Sequence, residues 1–168
     1  VTAEHNTASA GDGGALAITR AEARVMGPCL LADNVAGEGA GGLLLVENAS
    51  FVGAGTMTLT RNSARGASGG GALVRASSLD VEQNLTLTAC DAADTGGGVS
   101  GLRARVLVLG HVLTSDNRAS GGGGGAVAFS DSSQVTVLGA IAMVNETATQ
   151  GDGGGVLLLT GTTLTVQR

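Results

Sequence analysis

Apolar positions along the chain fall into short runs broken by glycine clusters, without helical spacing. Residues 126–145 show the pattern: "AVAFSDS", then "QVTVLG", then "AIAMVN". Runs of this length, rich in Val, Leu and Thr and bounded by Gly, Ser and Asn, predict strands. Glycine at this density would cost a helix roughly 1 kcal/mol per residue relative to alanine. The pattern therefore predicts an all-β chain.

The pattern also repeats. Asn6, Asn34, Asn62, Cys90, Asn117 and Asn145 are separated by 28, 28, 28, 27 and 28 residues, with Cys90 in an asparagine's place. The second glycine of each pair falls at Gly14, Gly42, Gly71, Gly98, Gly125 and Gly155. One such unit cannot bury its own apolar face, but stacked units can. Three short strands per unit and about six units of 27–30 residues predict a parallel β-helix. The crossover rule makes it right-handed.

Columns across the units assign places within a coil. With the asparagine as column zero, column +2 reads Ala8, Ala36, Ala64, Ala92, Ala119 and Thr147. Column −3 reads Leu31, Leu59 and Leu87, then Thr114 and Ala142. Both columns are expected to point inward around a corner. The asparagine fits that corner because it satisfies bent backbone and tolerates positive φ. Asn6, Asn34, Asn62, Asn117 and Asn145 are thus expected to form a hydrogen-bonded ladder from coil to coil. Outward columns −1 (His5, Asp33, Arg61) and +1 (Asp91, Arg118, Glu146) would set opposite charges about one strand spacing apart.

The strand after each glycine pair is apolar on both faces. Leu16, Ile18, Leu44, Val46, Leu73, Leu102, Val127, Phe129, Leu157 and Leu159 form the larger set, which is expected inside. Ala15, Ala17, Leu43, Leu45, Ala72, Val74, Val99, Ala126, Ala128, Val156 and Leu158 would then form an uncharged outer sheet. A contiguous apolar surface of this kind marks a contact. The occupant would be another chain or a flanking part of the same one, and lateral docking of another chain is the favoured reading.

Composition narrows the function. The chain has 168 residues, 43% of them hydrophobic and 1% aromatic, so its core must be aliphatic. It contains no lysine, which excludes a Walker-type phosphate loop and Schiff-base chemistry. A net charge of −5 with scattered arginines argues against nucleic acid. No apolar run is long enough for a membrane helix. There is no signal-peptide pattern at Val1 and the sequence stops within a repeat, so residues 1–168 read as one β-helix segment of a longer polypeptide.

The elements "NTASAGDGGAL", "NVAGEGAGGLL", "NSARGASGGGAL" and "NRASGGGGGAV" resemble the repeats of chlamydial polymorphic outer membrane proteins and related surface β-helix proteins. The resemblance covers essentially the whole chain. That family usually has phenylalanine three residues before the asparagine, where this chain has leucine or smaller residues. The resemblance implies a surface-exposed β-helical stalk or adhesin and supplies no catalytic residues.

Candidate sites are few. Asp91, Asp94, Arg118 and Glu146 come nearest to the convergent acids of a polyuronate-cleaving β-helix, but a structural charge ladder is the simpler reading. His5 and His111 lie four coils apart and cannot share a metal. Cys29 and Cys90 lie two coils apart, beyond disulfide reach, and are expected as buried thiols. "GDGG" at Asp12 and Asp152 is a faint calcium signal, read as turn chemistry. Sequons begin at Asn48, Asn84 and Asn145; Asn48 and Asn84 are possible glycosylation sites, whereas Asn145 is expected buried in the ladder.

The sequence thus predicts a non-catalytic structural or adhesive β-helix, acting as a stalk, spacer or assembly subunit at the cell surface or in a filament. No catalytic residue, metal or cofactor is assigned. Protein partners are expected on the apolar outer sheet, with a glycan possible. The alternatives are a carbohydrate-active β-helix lyase or hydrolase, and an intracellular scaffold segment of a large assembly.

Overall fold

A computed structural model of the chain describes residues 1–167. It is a parallel β-helix built from four parallel sheets of six strands each. Among the described residues there is no helix. Sheet 1 begins with Thr2–Glu4 and ends with Ile141–Val144. Sheet 2 stacks two-residue strands from Thr7–Ala8 to Thr147–Ala148. Sheet 3 runs from Leu16–Thr19 to Val156–Leu158, and sheet 4 from Glu22–Val25 to Thr163–Val166. Each coil therefore carries one strand more than the expected three. The extra one is the short strand directly after the column-zero residue.

Register explains the core. In sheet 1 Ala3, Leu31, Leu59, Leu87, Thr114 and Met143 stand in one column. Leu31, Leu59 and Leu87 are completely buried, as column −3 predicted. Sheet 4 contributes Phe51, Leu79, Val106 and Val135 from one column and Val81, Val108 and Val137 from another. The interior is aliphatic apart from Phe51 and Phe129, and Phe129 sits beside Gly101 in register. The Phe129 ring occupies the space above Gly101, where a Cβ would come within 2.2 Å of its Cδ1.

Sheet 3 reverses the expected faces in its second, third, fourth and sixth coils and keeps them in the first and fifth, where Leu16, Ile18, Val127 and Phe129 face inward as expected. Leu43, Ala72 and Val99 form one inward column, with Leu16, Val127 and Val156 completing it. Leu45 and Val74 stand in the other, with Ile18, Gly101, Phe129 and Leu158. Leu43, Leu45, Ala72 and Val74 are fully buried and Val99 is nearly so; all belong to the core. They are not an outer partner face.

The physical reason lies in how the outer side is covered. Leu44 and Leu73 do point outward, yet they are 3% and 4% exposed because they pack with Ala40 in a second small cluster. The loop before each sheet 3 strand folds back over its own strand. Gly69 makes this possible in the third coil: its φ is +73°, and a Cβ there would lie 2.2 Å from the Ala72 carbonyl oxygen.

A second correction concerns the glycine pair. Leu16 and Val99 donate their N–H groups to the carbonyls of Gly42 and Ala126. The second-glycine column therefore reads Ala15, Gly42, Gly71, Gly98, Ala126 and Gly155. Alanine replaces glycine in the first and fifth coils. Ala15 and Ala126 thus lie before the strand, which places Ala17 and Ala128 outward.

Candidate functional site

The most ordered polar feature is the corner ladder. Asn34 and Asn62 are fully buried. The Asn62 Oδ1 accepts both the Asn34 backbone N–H (3.1 Å) and its Nδ2–H (2.9 Å). Asn6 treats the Asn34 Oδ1 in the same way, at 3.0 and 2.9 Å. The remaining amide proton of Asn34 goes to the Ala3 carbonyl and that of Asn62 to the Leu31 carbonyl, at 3.0 and 2.7 Å. Asn34 thus bonds to the coil on each side of it, and the Asn62 side chain to the coil before it.

One member keeps to expectation and one departs from it. Cys90 stands in column zero, and its Sγ approaches the Leu59 carbonyl at 3.4 Å. Asn145 is not a rung. Arg118 pairs with Thr147, so Glu146 is the residue above Asn117. Its Oε2 accepts the Asn117 backbone N–H at 3.0 Å and its Oε1 the Nδ2–H at 3.3 Å. Ala148, not Thr147, then fills the small +2 column, and Met143, not Ala142, fills column −3.

Asn145 belongs instead to the column before the ladder. His5, Asp33, Arg61, Ala89, Asp116 and Asn145 all have φ between 50° and 58°. The left-handed residue of the corner is this one, not the ladder asparagine. The ladder residue's role is hydrogen bonding alone. Asn145 is exposed, so its sequon is accessible rather than buried.

The other sequons differ from each other. Asn48 is exposed at a second corner with φ 64°. Asn84 is half-buried at a third corner, where its Oδ1 accepts the His111 N–H at 2.9 Å. One coil further on, His111 Nδ1 accepts the Ala140 N–H at 2.9 Å. His5 stands at a different corner, so the two histidines share nothing.

Charged side chains join coils. Arg61 holds Asp33 through Nε–Oδ1 at 2.6 Å and Nη2–Oδ2 at 2.7 Å. That hydrogen bond keeps the Asp33 carboxyl below the ordinary aspartate range. Arg105 reaches Asp80 at 2.9 Å, Arg24 reaches Glu82 at 2.8 Å, and Arg20 pairs with Glu47. The expected +1 charge column is interrupted. Arg118 lies beside Asp91 in register but directs its Nε to Thr149 Oγ1, and Glu146 has left for the ladder. Asp94 accepts the Ser68 hydroxyl. Asp91, Asp94, Arg118 and Glu146 are therefore not drawn together.

Cys29 and Cys90 are both free and buried. Burial raises both thiol pKa values, and that of Cys90 reaches about 11. Asp12 and Asp152 are exposed in the loops of the first and last coils. Among the described residues no three His, Cys, Asp or Glu side chains gather into a metal site, and no helix is long and apolar enough to cross a membrane.

An open groove of about 400 Å³ runs along the second corner. Its floor includes Ala49, Ser77 and Ala104, all buried. Asn48, Arg103 and Ser132 line one wall; Ser50, Arg105 and Gln134 line the other. The floor is closed by side-chain hydroxyls: Ser77 Oγ accepts the Ala49 N–H at 3.1 Å and Ser133 Oγ the Ala104 N–H at 3.0 Å. No alternation of apolar and polar residues in the sequence pointed to this groove. A sign was available in the small residues Ala49, Ser77, Ala104 and Ser133, one per coil, of which Ala49 and Ala104 stand between two larger polar neighbours.

No known family model, curated protein or solved structure matches the chain.

Proposed function

We propose that the segment is a non-catalytic structural or adhesive β-helix, serving as a rigid stalk, spacer or assembly subunit at a cell surface or in a filament. The observation that carries this reading is the direction of the polar side chains. The ladder amides, Glu146 and the Arg61–Asp33 and Arg105–Asp80 pairs bind neighbouring coils to one another, and Arg24–Glu82 spans two coil steps. Stacking six coils at about 4.8 Å each makes a rod of roughly 29 Å. The resemblance to chlamydial polymorphic outer membrane protein repeats supports the surface location. A carbohydrate-cleaving role has less support, because Glu146 and Asp94 are already engaged in other contacts.

Electron microscopy of the native assembly and an activity assay test the reading together. A rod or filament that incorporates the segment, with no release of reducing ends from polygalacturonate, is the expected result. Release of reducing ends would overturn the non-catalytic reading, and a native assembly with no rod or filament would overturn the stalk. Antibody labelling of intact source cells against permeabilised ones decides the location.

A further inference from the structure

We propose that the second-corner groove binds an acidic oligosaccharide lying along the solenoid axis; this deepens the adhesive reading and rests on it. The groove crosses successive coils, and each coil presents at least one polar side chain to it: Asn48 with Ser50, Ser78 opposite Ala76, Arg103 with Arg105, Ser132 with Gln134. A ligand that follows it must therefore repeat along its length and offer hydroxyls at each step. A coil rise of about 4.8 Å is close to the advance of one sugar unit in an extended glycan. A peptide strand is disfavoured: the groove floor's backbone N–H groups at Ala49 and Ala104 are already bonded to serine hydroxyls.

The acidic character comes from the arginines. Arg103 and Arg105 flank the groove on a single coil, and both are exposed. Arg105 uses Nη1 on Asp80, leaving Nε and Nη2 without a hydrogen bond among the described residues. Arg103 has no ion pair among the described residues. Of the nearby acids, Asp80 is held by Arg105 and Glu47 by Arg20, while Asp131 is exposed. A guanidinium fork presents paired donors that match a carboxylate or a sulfate. The walls hold no aromatic residue, so recognition rests on hydrogen bonds and charge, not on ring stacking.

Calorimetric titration of the chain with tetragalacturonate, a sulfated tetrasaccharide and uncharged maltotetraose tests this. Binding of either acidic probe, weakening as salt rises, is the expected result, and their ranking tells carboxylate from sulfate recognition. Arg103→Gln should weaken binding at least about tenfold without moving the melting temperature. Arg118→Gln, on a different corner, should leave it unchanged. Equal binding of maltotetraose, absence of binding by both acidic probes, or an unaffected Arg103→Gln variant would each overturn the proposal. Microscopy of the native assembly separates the two readings: a rod that binds none of the probes removes the groove and leaves the stalk.

Discussion

The Sγ of Cys90 lies 3.4 Å from the carbonyl oxygen of Leu59, the place where the neighbouring rungs put an asparagine Nδ2 on the carbonyls of Leu31 and Leu87. The thiol thus replaces the donor of an asparagine but not its acceptor, since sulfur accepts weakly. Asn62, next along the ladder, has no side-chain acceptor above it. Cys90→Asn should complete the column from Asn34 to Asn117. Two added hydrogen bonds, each worth about 1 kcal/mol, should raise the denaturant midpoint with an unchanged slope. A lower midpoint would show that the fourth coil has no room for the amide.

Alkaline titration reports the same side chain. The folded Cys90 thiol has its pKa raised from 9.0 to about 11 by burial. The unfolded thiol ionises first, so stability is unaffected by this group below about pH 9 and falls as pH rises toward 11. The loss should be on the order of 2 kcal/mol. Cys90→Ala should remove this step from a pH series of unfolding midpoints. The native thiol should also resist alkylation at neutral pH.

Thr114 is a polar residue in an apolar column. It is 4% exposed, and its Oγ1 is buried without a hydrogen-bond partner. Leu87 and Met143 are its neighbours in register. Thr114→Val keeps the shape and removes the orphan hydroxyl, so it should stabilise by about 1 kcal/mol. Calorimetry should show a melting temperature higher by roughly 2–4 °C.

Gly101 and Phe129 should behave as a coupled pair. Gly101→Ala puts a methyl group into the ring's place and should cost about 1–3 kcal/mol. Phe129→Leu in the same chain should recover part of that loss. A double-mutant cycle with no coupling would contradict the contact.

The two faces of sheet 3 can be separated by charge. Leu45→Glu or Val74→Glu places an unpaired carboxylate in the core and should abolish the β signal in circular dichroism. Ala17→Glu, on an exposed outward position of the first coil, should leave it intact. A folded Leu45→Glu or Val74→Glu variant would restore the outward placement expected of these two residues.

Much of the fold is legible in the sequence because the repeat is strong. The asparagine spacing alone yields coil number, stacking and the inward leucines at 31, 59 and 87. Size misled the reading of sheet 3: Leu44 and Leu73 look like core residues and are buried, but under a loop on the outer side. Polar residues at the fourth strand position, Thr19, Arg75 and Ser130, were the better guide to the outward face. The sixth coil was misaligned for a similar reason. Asn145 matches the ladder by residue type, whereas Ala148 and Met143 match it by the demands of packing. An exposed groove leaves no periodic apolar signal at all, so it became visible only when the corner closed.

The ladder also has a consequence for symmetry. In the bonds to its side-chain oxygens, the coil nearer the N-terminus supplies the donors and the next coil the acceptor, from Asn6 to Asn34, Asn34 to Asn62 and Asn117 to Glu146. The stack therefore has a sense, like an arrow. A two-fold axis across a junction would set acceptor against acceptor and turn the parallel strands antiparallel. Stacks of this kind can be joined through their ladder columns only head to tail. Such heterologous contact builds open filaments rather than closed pairs.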